Sequence, residues 1–161
     1  MSPNNATTPE QRLAGLNLEL PAPPNPVANY VGAVQVDRLL FVSGHGPVRD
    51  GEHCFIGKLG RDMDVDEGRR AAQLVALNML ATMKVHLGEL ARVKRCVKLL
   101  CMVNSTPDFK EHPLVANGAS DLFVEVFGQA DGRHTRSAVG FASLPLGIAV
   151  EIEGTFEIHA T

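Results

Sequence analysis

From Tyr30 onward the spacing of apolar and polar residues switches between the two periods that separate strands from helices. Residues 31–36 and 39–43 are short apolar runs parted by Asp37-Arg38, the pattern of two strands and a hairpin turn. Ser43-Gly44-His45-Gly46-Pro47 ends the second run, and a polar, glycine-rich loop continues to about 61. Over about 66–88 the spacing becomes helical. Ala72, Ala76, Met79, Leu80, Met83 and Leu87 form one stripe, with Arg69, Arg70, Gln73 and Lys84 opposite and Asp64 or Asp66 placed to cap. The nearly continuous apolar run 95–103 reads as a strand inside a sheet, ended by Pro107-Asp108. A second helix is expected over about 111–127, with Pro113 in its first turn and Gly128 as its stop. Its buried side is Ala119, Leu122, Phe123, Val126 and Phe127. Strands at about 134–142 and 148–158 close the chain, joined by Ser143-Leu144-Pro145-Leu146-Gly147.

The order is therefore ββαβαββ, an α+β domain. Two amphipathic helices are too few to cover both faces of such a sheet, so both are expected on one face of a mixed sheet. The other face is left bare, and a bare apolar sheet face favours a cyclic homo-oligomer. Residues 1–28 are read as an N-terminal arm and 29–161 as the domain. Within the arm a short helix is expected at about 9–15. Leu16-Asn17-Leu18-Glu19-Leu20 alternates like an added edge strand or a surface arm, and the proline-rich stretch 21–26 should be extended.

Composition narrows the classes. With 161 residues, 45% hydrophobic and 20% charged, the chain suits one globular domain. Its net charge of −3 lacks the basic footprint of nucleic-acid or acidic-membrane binding. Neither a membrane span nor a signal-peptide pattern is evident, so a cytoplasmic location is expected. Cys54, Cys96 and Cys101 show no metal-ligand or CxxC spacing and are expected to be reduced thiols, the latter two buried. His53, His86, His112, His134 and His159 are scattered likewise, and no metal site is expected.

Candidate chemistry lies in the last two strands. Alternation puts Arg136 and Ala138 on one side of the first, and Ala149, Glu151 and Glu153 on one side of the second. If the two strands form a hairpin with their apolar sides coincident, Val139 lies opposite Ile148, Arg136 opposite Glu151 and Ala138 opposite Ala149. Such a pair is either a cross-strand ion pair or a carboxylate clamp, with Arg136 gripping a substrate carboxylate and Glu151 handling a water or a proton.

Asn29-Tyr30-Val31, Leu40-Phe41-Val42-Ser43-Gly44-His45-Gly46-Pro47, Ala76-Leu77-Asn78-Met79-Leu80, Arg136-Ser137-Ala138-Val139-Gly140 and Leu144-Pro145-Leu146-Gly147-Ile148-Ala149-Val150-Glu151-Ile152-Glu153 carry a resemblance over roughly 28–158. In these residues the chain resembles the RidA/YjgF family of reactive-intermediate (imine) deaminases, also labelled the endoribonuclease L-PSP family. The resemblance implies a chorismate-mutase-like domain that forms a homotrimeric barrel with clefts between subunits. It also implies hydrolysis of enamine or imine intermediates to 2-oxo acids and ammonia without a cofactor. By position, Arg136 would hold the substrate carboxylate and Glu151 would position or activate water. Tyr30, Ser43, Gly44, His45 and Ala138 would line the substrate site, Tyr30 from a neighbouring subunit. Two further activities fit the resemblance: a non-catalytic trimer that binds small carboxylates, and an endoribonuclease, against which the acidic balance speaks.

The chain departs from the family pattern in two places. His45 stands where many relatives carry Gln, either as a polar rim residue or as an added acid or base. Ala138 stands where a Cys is frequent, so no thiol there can be required. His134 shares a strand side with Arg136 and is a candidate for the pocket wall. The cluster Arg92, Lys94, Arg95 and Lys98 reads as solvated surface, and Gly57-Lys58-Leu59-Gly60-Arg61 lacks the spacing of a phosphate loop.

Overall fold

Thr8 starts the first helix, α1 (Pro9–Gly15), with a capping box in which its hydroxyl accepts from the Gln11 N–H and the Gln11 side chain accepts from the Thr8 N–H. The structure is a computed structural model that describes residues 7–23 and 29–160. α1 buries Leu13 in the main core. It is tied down by Arg12 Nη1 donating to Val126 O at 3.2 Å and by Glu10 accepting from the Leu90 N–H at 2.8 Å. Residues 16–20 form no strand, and Leu18 and Leu20 instead pack singly against the core. Of the stretch expected to be extended, 24–26 lie outside the described residues.

β1 (Ala33–Val36) and β2 (Leu39–His45) form the expected hairpin, closed by Asp37 in the left-handed region at φ 51°. The loop that follows contains a small hairpin, β3 (Val48–Arg49) and β4 (Glu52–His53). Asp64 then caps α2 (Val65–Leu87) in a second capping box with Glu67. After it come β5 (Val93–Asn104), α3 (His112–Phe127), the short α4 (Gln129–Gly132), β6 (Thr135–Phe141) and β7 (Val150–Ile158).

The five strands of the main sheet run in the order β1-β2-β7-β5-β6, with β5 and β6 parallel and every other pair antiparallel. α2 and α3 cover one face, as expected. Their apolar sides meet Leu40, Val42, Leu99, Cys101, Val103, Ile152 and Phe156 in a single core. The other face stays open. It presents Val34, Val36, Leu39, Phe41 and Val139, each 39–53% exposed, around a shallow groove of about 470 Å³.

The expected hairpin of the last two strands is overturned. β6 and β7 are not neighbours, because β5 lies between them. Arg136 pairs with Leu99 and Ala138 with Cys101, whereas Glu151 pairs with Met102 from the other side of β5. The cause is topological. α3 is a crossover connection, so β6 returns parallel to β5 on its outer edge, and the chain then turns back to fill the slot between β5 and β2. The apolar sides do not coincide either. β7 buries Val150, Ile152, Phe156 and Ile158 under the helices, while β6 turns Val139 and Phe141 away and Arg136 towards α3.

Candidate active site

Arg136 is the best-anchored charged side chain of the sheet. Half-buried on β6, it reaches α3, where Nη1 donates to Asn117 Oδ1 and to Ser120 Oγ, both at 2.9 Å. Nη2 donates to the Pro113 carbonyl at 3.3 Å. Residues 113, 117 and 120 lie at i, i+4 and i+7, so one row of the helix supplies all three acceptors. Among the described residues no acceptor engages Nε. Nε–H and one Nη2–H therefore remain free to donate, and free guanidinium donors suit a carboxylate. Ala138 lies two residues along the same side of β6, partly buried against the core.

Glu151 lies on the opposite, open face. Neighbouring rows make this plain: Met102 and Val139 share its row on that face, while Val150 and Ile152 beside it are fully buried. Burial and then the nearby Glu153 carboxylate raise its pKa above the ordinary glutamate value, which suits a group that takes and returns a proton. A side chain on Gly44 would overlap this carboxylate, so glycine there allows the strand to pass close to it. Ser43 Oγ donates to the Val31 carbonyl at 2.6 Å, and the Ser43 N–H to the Gly32 carbonyl at 3.0 Å. These bonds hold the segment carrying Tyr30, which is 51% exposed, beside Ser43. Tyr30, Ser43, Gly44 and Glu151 thus gather at one end of the sheet, apart from Arg136 and Ala138.

His45 joins neither group. β2 alternates inward with Leu40 and Val42, which would turn His45 outward. The register instead slips between Val42 and His45, and this bulge swings the imidazole under α2. There it is 5% exposed, with Nδ1 2.6 Å from the Ser43 carbonyl and Nε2 2.8 Å from Thr82 Oγ1. The carbonyl can only accept, so Nδ1 carries the proton and Nε2 accepts from the threonine hydroxyl. Burial lowers the His45 pKa, the Ser43 carbonyl opposing it.

Asn117 and Ser120 were not read from the sequence, and Pro113 was read only as a first-turn proline. The polar positions 117 and 120 beside the apolar side of α3 were the available signal. His134 stands next to them, its Nε2 3.0 Å from Ser120 Oγ and its Nδ1 2.7 Å from the Gly132 carbonyl. Of the basic cluster, Lys94 pairs with Glu157 at 2.9 Å and Arg95 with Asp131 at 3.7 Å. Lys58, in the glycine-rich loop, bonds Asn104 Oδ1 at 2.6 Å, and its neighbour Leu59 is fully buried. Cys96 and Cys101 are free and buried, and burial pushes the Cys101 thiol up to about 12. Among the described residues no three His, Cys, Asp or Glu side chains converge, and no helix is long and apolar enough to cross a membrane.

Residues 10–152 match the YjgF/chorismate mutase-like family, whose description adds the label of a proposed endoribonuclease. Protein TCP17 of Trypanosoma cruzi is 48% identical over 91% of this chain and 92% of its own length. The crystal structure of the Agrobacterium tumefaciens protein Atu1372, of unknown function, is 45% identical with a TM-score of 0.88, covering 94% of this chain and 92% of that one. A Shewanella oneidensis protein described as a proposed endoribonuclease is 36% identical with a TM-score of 0.90, covering 94% and 99%.

Proposed function

The chain belongs to the YjgF/chorismate mutase-like family, and on that premise we propose that it hydrolyses reactive enamines and imines to 2-oxo acids and ammonia. The observation that carries the reading is Arg136, a guanidinium locked by three acceptors of α3 with Nε–H and one Nη2–H still free for a carboxylate. Such a group orients a small 2-imino acid by its carboxylate, and orientation is much of what an already electrophilic C=N bond needs. Water then adds to the imine carbon as Glu151 accepts its proton. The proton passes to nitrogen to give a carbinolamine, Glu151 then carries the hydroxyl proton to the amine, and the C–N bond breaks so that ammonia leaves a C=O in place of the C=N.

Because Arg136 and Glu151 stand on opposite faces, one molecule of substrate meets both only between two copies of the chain. We therefore assign the active species as a homotrimer in which the open sheet faces meet. Arg136 and Ala138 then come from one subunit, and Tyr30, Ser43, Gly44 and Glu151 from the next. The open face, apolar around its shallow groove, supports this assembly. The endoribonuclease label finds less support, since Lys94 and Arg95 of the basic cluster are committed to acids.

The test is imine hydrolysis. 2-Imino acids are generated in situ from L-amino acids by an amino-acid oxidase, and 2-oxo acid release is followed with and without the protein. Acceleration that Arg136→Ala abolishes supports the deaminase. A folded oligomer that binds 2-oxo acids yet accelerates nothing is a carboxylate-binding module instead.

A further inference from the structure

Arg136 is held by a relay whose last member does not touch it. Nη1 donates to Ser120 Oγ at 2.9 Å, and that hydroxyl lies 3.0 Å from His134 Nε2. His134 Nδ1 is 2.7 Å from the Gly132 carbonyl, which can only accept, so Nδ1 carries the proton and Nε2 presents a lone pair. The single hydroxyl proton of Ser120 therefore points at His134, and its oxygen lone pairs are turned to the guanidinium. A serine inside a helix otherwise donates to the carbonyl four residues earlier, which would redirect those lone pairs. The imidazole packs at right angles to Phe123, with ring centroids 6.3 Å apart and planes at 86°.

We propose that Ser120 and His134 are positioning residues for Arg136: the imidazole sets the direction of the Ser120 hydroxyl, and through it the pose in which the free donors of the guanidinium take a carboxylate. This deepens the function proposed above and rests on it for the identity of the ligand. The positioning itself is a property of the free protein.

Two readings separate the two ideas. The first is the Arg136 Nε–H NMR signal without ligand, whose exchange broadening reports rotation of the guanidinium. The second is affinity for pyruvate and 2-oxobutanoate by calorimetry. Ser120→Ala and His134→Phe, which keeps a ring against Phe123, should each release the guanidinium and weaken 2-oxo acid binding about three- to tenfold. The double variant should be no weaker than Ser120→Ala alone, because both changes break one relay. His134→Gln, whose side-chain oxygen accepts, should recover most of the affinity and guards against a folding defect in the phenylalanine variant. Additive losses, or an Arg136 signal unchanged in His134→Phe, would overturn the proposal. A released guanidinium in a protein that binds no 2-oxo acid even as wild type would support the positioning and sink the deaminase reading alone.

Discussion

Arg136 and Glu151 project from opposite faces of one sheet, with β5 between their strands. A site that uses both must be shared between subunits, and this can be tested by complementation. Arg136→Ala and Glu151→Gln should each be inactive, yet subunits of the two, unfolded and refolded together, should recover activity. In a random cyclic trimer, about three-quarters of the assemblies are mixed and each mixed ring holds one intact site of three. The expected recovery is thus about a quarter of wild type. Refolded mixtures as inactive as their components would place the whole site within one protomer, against the assignment.

Replacing Arg136 by lysine should be nearly as damaging as removing it. An ammonium cannot reach Asn117, Ser120 and the Pro113 carbonyl together and still present a planar fork. Binding of 2-oxo acids, read by calorimetry, should weaken by about 10- to 100-fold, the range of hydrogen bonds to a charged group. A lysine variant that binds within twofold of wild type would mean that Arg136 acts as charge alone.

What the sequence made legible, and what it hid, follows from the range of each interaction. The caps at Asp64 and Gly128, the Asp37 turn and the apolar sides of α2 and α3 are local patterns, and they appear where the periodicity puts them. The partner of β6 is not local. Alternation says which residues share a side of a strand, but not which strand lies beside it, so Arg136 and Glu151 looked like a cross-strand pair. His45 was hidden by a single extra residue: the bulge between Val42 and His45 inverts the side that alternation assigns. Asn117 and Ser120 read as ordinary polar helix positions until the β6 edge is set against α3.

The two inward histidines make stability depend on pH in a defined window. His45 and His134 both have pKa values lowered from 6.5, burial being the larger cause in each, with a backbone carbonyl opposing it and Arg136 adding to the lowering at His134. Between the lowered folded values and 6.5 the unfolded chain binds more protons than the folded one, so stability must fall as pH falls through that window. Glu151, raised from 4.5, acts with the opposite sign, its share being lost as pH rises from 4.5 through its folded value. Urea midpoints measured from pH 8 down to about 5 should therefore decline. His45→Gln keeps a hydrogen-bonding group near Thr82 and removes one titration, so its decline should be shallower. An identical slope in that variant would show that His45 is not the group responsible.

Two glycines separate a local clash at the site from a clash in the scaffold. A β-carbon at Gly44 would meet the end of the Glu151 side chain, which can swing aside. Gly44→Ala should therefore move the carboxylate and cost imine hydrolysis at least about tenfold, while the urea midpoint stays close to wild type, because a side-chain end yields cheaply. A β-carbon at Gly118 would instead meet the backbone of Arg69, where α3 crosses α2 and neither helix can retreat without opening the core. Gly118→Ala should lose about 1–3 kcal/mol of stability, the usual cost of forcing volume into a packed contact. The urea midpoint tells the two variants apart, since it should fall for Gly118→Ala and hold for Gly44→Ala. Should Gly44→Ala keep full activity, Glu151 would not need its place beside the bulge, and its assigned role with water would fall.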